Sequence, residues 1–120
     1  MRRVARSLLI VDDNDDFRCA ARALLEDEGF AVLGEAVDGE SALASLATSR
    51  PDLVLLDIAL PGLDGIVVAS RIAELDHPPP VVLVSSRAAA SYGERISSAP
   101  VRGFLLKAEL SGAALTALLD

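Results

Sequence analysis

The stretch "LVLLDI", Leu53 to Ile58, decides the fold. Five of its residues are aliphatic and nothing in it alternates apolar with polar, so if it is extended both of its faces must be covered. A short segment of this kind reads as a central strand of a parallel sheet with helices packed on each side. Asp57 is then an anomaly, because a carboxylate at the end of a buried strand is costly without a partner.

Working outward, "SLLIV" (Ser7 to Val11) and "FAVLGEA" (Phe30 to Ala36) read as strands before it, and "VVLVS" (Val81 to Ser85) and "GFLLK" (Gly103 to Lys107) as strands after it. Helical spacing fills the gaps. Phe17, Ala20, Ala21, Leu24 and Leu25 recur as one helix face, with Asp15 or Asp16 as its cap and Gly29 at C′. Cys19 falls inside this helix and is expected to be buried. Asp38 caps a second helix bearing Ala42, Leu43, Leu46 and Ala47, which "SRPD" ends. After the loop "ALPGLDG", Ile66, Ala69, Ile72 and Leu75 give a third. A small helix is expected around Tyr92 to Ser98, and Ser111 caps a last one carrying Leu115, Leu118 and Leu119.

Alternating βα units with short connections make a parallel sheet with right-handed crossovers. The fold class is therefore α/β: five parallel strands in order 2-1-3-4-5 with helices on both faces. Ligands of such a sheet bind beyond the carboxyl ends of strands 1 and 3, where the winding reverses.

Composition agrees. A chain of 120 residues with 52% hydrophobic residues suits a single domain over 1–120 with one core, and aromatics at 3% favour aliphatic strands under helices. The net charge of −7 argues against direct nucleic-acid binding, since no basic stripe follows the short start "MRRVAR", which reads as a solvated terminus. The apolar run behind it is too short for an export segment or a membrane span, so a cytoplasmic protein is expected. One cysteine allows no internal disulfide. His77, in the Pro-rich loop, has no partner for a metal site and is expected to be exposed.

The polar exceptions converge. Asp12 and Asp13 follow strand 1, Asp57 ends strand 3, Ser85 ends strand 4 and Lys107 ends strand 5, all at one edge of the sheet. Two carboxylates about 4 Å apart repel by roughly 4 kcal/mol at an effective dielectric near 20. Three at one edge suit a hard divalent cation such as Mg²⁺. Asp15 and Asp16 are explained more simply by the positive end of the first helix. A lysine and a hydroxyl beside a metal-bound carboxylate are parts for moving a phosphoryl group, with the carboxylate as nucleophile.

Through "VDD" (Val11 to Asp13), "LLDIALPGLDG" (Leu55 to Gly65), "VVLVSS" (Val81 to Ser86) and "GFLLKAEL" (Gly103 to Leu110), the whole chain resembles the receiver domain of bacterial two-component response regulators. The resemblance implies a flavodoxin-like receiver fold in which Asp57 accepts a phosphoryl group from a histidine kinase. It implies that Asp12, Asp13, Asp57 and the backbone carbonyl of Ala59 hold Mg²⁺ or Mn²⁺, that Ser85 meets the incoming phosphoryl oxygen and that Lys107 pairs with it. Phe104 matches the aromatic position that turns inward on activation. Ala59 and Arg87, two residues beyond Asp57 and Ser85, flank the expected phosphate and are expected to tune its lifetime. By the same analogy a homodimer forms through the face of the fourth helix, fifth strand and fifth helix.

Two features depart from the common pattern. Many receivers carry a proline after the lysine, where this chain has Ala108, so a trans bond or a reshaped loop is expected. "KAEL" is more similar to receivers joined to helix-turn-helix DNA-binding domains, although no such domain lies within the 120 residues.

The implied function is a phosphorylation-dependent switch controlling an output such as transcription, not an enzyme with a separate substrate. One alternative is a phosphate-independent interaction module, against which the complete set Asp12, Asp13, Asp57, Ser85 and Lys107 stands. A Mg²⁺-dependent phosphohydrolase is another, but such enzymes resemble D-x-D at the nucleophile, and "DIA" lacks the second acid. "DDND" offers no glycine-rich cradle for a nucleotide or flavin phosphate.

Overall fold

In the computed structural model, which describes residues 5–120, Leu53–Asp57 is the middle of five parallel strands and every residue in it is buried. In chain order the elements are β1 (Ser7–Val11), α1 (Asp15–Asp27), β2 (Ala31–Ala36), α2 (Gly39–Leu46), β3 (Leu53–Asp57) and α3 (Gly65–Ala73). There follow β4 (Val81–Ser85), α4 (Glu94–Ser97), β5 (Gly103–Leu106) and α5 (Gly112–Leu119), with 3-10 turns at Ala89–Ser91 and Lys107–Glu109. The strand order is β2-β1-β3-β4-β5, as the alternation requires. The first residues of the basic start lie outside the described residues.

Apolar side chains leave the central strands on both sides, so the sheet has two cores, one on each face, rather than the one core expected from composition. Leu9, Val11, Val54, Leu56 and Leu83 meet α2, α3 and Ile96 of α4, while Leu8, Ile10, Leu55 and Val84 meet α1 and α5. Fully burying each such side chain contributes about 1.5–3 kcal/mol. A register shift between Leu8 and Leu9 bulges the β1–β2 pairing and leaves Leu33 facing solvent on the edge strand. Among the described residues no helix is long and apolar enough to cross a membrane.

Several local expectations need correction. α1 is capped by Asn14, whose side chain accepts from the Phe17 amide at 2.9 Å, and Asp15 and Asp16 occupy the first turn. Its inward stripe is Phe17, Ala21 and Leu25, four residues apart, leaving Ala20 exposed and Leu24 38% exposed. Cys19 is exposed rather than buried, because two residues from Phe17 is about 200° around a helix at 3.6 residues per turn. β5 stops at Leu106, and Lys107 opens the following 3-10 turn. α4 has only four residues. The other caps stand as read: Asp38 and Ser41 form a capping box, and Ser111 accepts from the Ala114 amide. His77 is exposed, with φ +54°, and no peptide bond among the described residues is cis, so Ala108 follows Lys107 in trans.

Candidate functional site

The carboxyl ends of β1 and β3 bring Asp12, Asp13 and Asp57 together, each offering an oxygen within 4.8 Å of the others. Asp12 is fully buried, Asp57 is 3% exposed and Asp13 faces solvent. A cluster made only of carboxylate oxygens could bind a metal, and its donor chemistry suits a hard cation.

Each acid is held by the local chain. Asp12 Oδ1 accepts from the Asn14 amide at 2.9 Å, and Asp57 Oδ1 from the Ala59 amide at 3.3 Å. Lys107 Nζ reaches in from its turn, 2.6 Å from Asp12 Oδ2 and 3.7 Å from Asp57 Oδ2. Asp12 Oδ2 is buried and makes no aligned hydrogen bond, so that ammonium is its ionic compensation. Lys107 Nζ also lies over the Phe17 ring, 4.4 Å from its centroid, a cation–π contact.

Burial is the largest influence on Asp57 and the Asp12 carboxylate the next, with Asp13 adding to them. Together they outweigh Lys107 and the Ala59 amide and push the Asp57 pKa up to about 6. Gly65 makes room for this acid's backbone, since a Cβ there would stand 2.2 Å from the Asp57 carbonyl oxygen.

Asp15 stays out of the cluster. Arg18 pairs with it, donates to the Asp12 carbonyl at 2.6 Å and contacts Glu35 at 3.1 Å. Arg22 also bonds Glu35, at 2.8 Å, and is the main cause that holds this carboxyl below the usual range. One arginine thus braces the β1–α1 turn from behind.

Ser85, at the end of β4, is 1% exposed. Its Oγ accepts from the Arg87 amide at 3.0 Å and lies 2.6 Å from the Tyr92 hydroxyl. Tyr92 in turn packs against Phe104, ring centroids 6.5 Å apart. The Arg87 side chain and Ala59 are exposed beside the edge. Asp64, N-cap of α3, pairs with Arg95 of α4, tying that short helix to the loop after Asp57. Sequence reasoning missed Arg18, Gly65, Tyr92 and the Asp64–Arg95 pair. Only Gly65 had a local signal, in the loop "PGLDG".

Residues 8–119 match the response regulator receiver domain, and the chain belongs to that family. It is 34% identical over 104 residues to the transcriptional regulatory protein PdtaR of Mycobacterium tuberculosis, covering 87% of this chain and 50% of that one. It is 44% identical over 81 residues to the transcriptional regulatory protein CseB of Streptomyces coelicolor, 68% of this chain and 34% of the relative. The chain thus spans about half, or less, of the length of these relatives. Among solved structures, the signal receiver domain of NarL from Mycobacterium tuberculosis superimposes with a TM-score of 0.84 at 31% identity, over 98% of this chain and 99% of that one. A LuxR-family DNA-binding response regulator from Staphylococcus aureus does so at 0.82 and 28%, over 95% of each chain.

Proposed function

We propose that this receiver domain is a phosphorylation-dependent switch whose acceptor is Asp57. The observation that carries this is the sharing of one lysine by two buried carboxylates, Asp12 and Asp57, with Asp13 beside them. Asp12, Asp13, Asp57 and the Ala59 carbonyl would hold Mg²⁺, which when bound neutralises charge on a phosphoryl group. An Asp57 oxygen attacks phosphorus of a phosphohistidine on a kinase, the N–P bond breaks and the imidazole leaves with its electron pair. Lys107 supplies positive charge to the phosphoryl oxygens, and Ser85 donates a hydrogen bond to one of them. Phe104 then moves inward, and the α4–β5–α5 face changes its partners, including a second copy of the chain.

The domain spans 1–120 and works in the cytoplasm, where a kinase and a transcriptional output are both within reach. The names of PdtaR and CseB support transcription as that output. Ala59 and Arg87 border the path of hydrolytic water and set the lifetime of the aspartyl phosphate. The chain is an acceptor, not an enzyme acting on a separate substrate.

Intact mass after incubation with acetyl phosphate tests this. A Mg²⁺-dependent gain of about 80 Da, one phosphoryl group on one carboxylate, is expected in the wild type and not in Asp57→Asn. No adduct on folded wild-type protein would leave a phosphate-independent module.

A further inference from the structure

We propose that Tyr92 is a latch on Ser85: its hydroxyl holds the serine in the resting position, and phosphorylation pulls the serine free and passes the change to α4 through the tyrosine. This rests on the phosphoacceptor assignment of Asp57.

A serine hydroxyl has one proton and two lone pairs. In the structure the Arg87 amide takes one lone pair and the Tyr92 hydroxyl, at 2.6 Å, engages either the proton or the other pair. Ser85 makes no hydrogen bond to Asp57 or Lys107 among the described residues; its two partners both belong to the segment after β4. Turning the hydroxyl toward a phosphoryl group on Asp57 therefore takes it away from Tyr92.

Tyr92 is placed to transmit that loss. It follows the 3-10 turn, its carbonyl accepts from the Arg95 amide of α4 at 3.3 Å, and its ring touches Phe104. Residues 86–91 are all exposed, and a four-residue helix cannot hold itself, so the segment depends on side-chain anchors. Tyr92 is the anchor that touches the switch serine. Because Phe104 and Tyr92 are in contact, an inward move of the phenylalanine also requires the tyrosine to yield.

The sequence contains one tyrosine and no tryptophan, so tyrosine emission reports Tyr92 alone. With acetyl phosphate and Mg²⁺, wild-type emission should change in step with the adduct mass. Tyr92→Phe frees the serine in advance. Its initial rate of adduct formation should exceed the wild-type rate by roughly two- to tenfold, the weight of one hydrogen bond in the resting equilibrium. Constant wild-type emission through full adduct formation, or a Tyr92→Phe rate equal to or below wild type, would overturn the latch and leave Asp57 as acceptor. A wild type that gains no adduct overturns both.

Discussion

With a pKa of about 6 against an ordinary 3.8, folded Asp57 keeps a proton that the unfolded chain gives up between roughly pH 4 and 6. The stability this proton contributes is complete below the unfolded value and is lost as pH rises through the folded one. In metal-free buffer Asp57→Asn should therefore gain on the wild type across that window and stay more stable above pH 6, as thermal melts at a series of pH values would read. Lys107 has the opposite sign. Lys107→Met leaves Asp12 fully buried without its counter-charge, and urea unfolding should show a loss of about 3 kcal/mol, partly restored by Mg²⁺. Asp12, Asp13, Asp57 and Lys107 were legible as neighbours because each interrupts or ends an apolar run, where burial makes a polar residue conspicuous; Ser85 was legible only by its place at the end of β4, its hydroxyl being turned to Arg87 and Tyr92. Tyr92 was not, since a half-buried tyrosine in an unpatterned loop has no local mark of what its hydroxyl meets.

The elements differ in how far their sequences reveal them. Buried parallel strands are near-continuous aliphatic runs, so β1, β3 and β4 lie within a residue of their expected bounds. The start of α1 was misassigned because Asn14, Asp15 and Asp16 are all competent caps, and backbone geometry chose the first. Its face was misassigned because alanines satisfy more than one rotation of the helix wheel. α3 illustrates what a loop must supply. Asp64 Oδ1 accepts from the Ile66 amide at 2.7 Å while the same side chain pairs with Arg95, so Asp64→Ala should cost about 1–2 kcal/mol in chemical denaturation. Gly65→Ala should cost about 1–3 kcal/mol by overpacking, and should slow adduct formation as well, because the clash falls on the Asp57 carbonyl.

For the molecule as a whole, a net charge of −7 with three acids gathered at one sheet edge makes the folded state the one that a bound cation would favour. Mg²⁺ at a hundred times its dissociation constant adds about 2.7 kcal/mol to a protein that binds it only when folded. The wild-type melting temperature should rise accordingly, and an unchanged rise in the Asp12→Ala, Asp13→Ala double variant would remove the metal from this edge. The sheet order was legible as a whole because short βα connections leave few ways to wind it. The coupling between α4 and its neighbours was not, because a four-residue helix has no periodicity to read. At the opposite edge from the acids, the ion pair of Arg6 with Asp120 sets the residue before β1 beside the residue after α5. A short peptide could join Asp120 to Arg6 while the chain is opened between His77 and Pro78, in an exposed turn on that same edge. Such a circular permutant would run α5 into β1 and begin at β4, yet keep every strand end that carries the acids. If it still takes up phosphate, the chemistry belongs to the rim of the sheet and is indifferent to the order in which the chain is threaded.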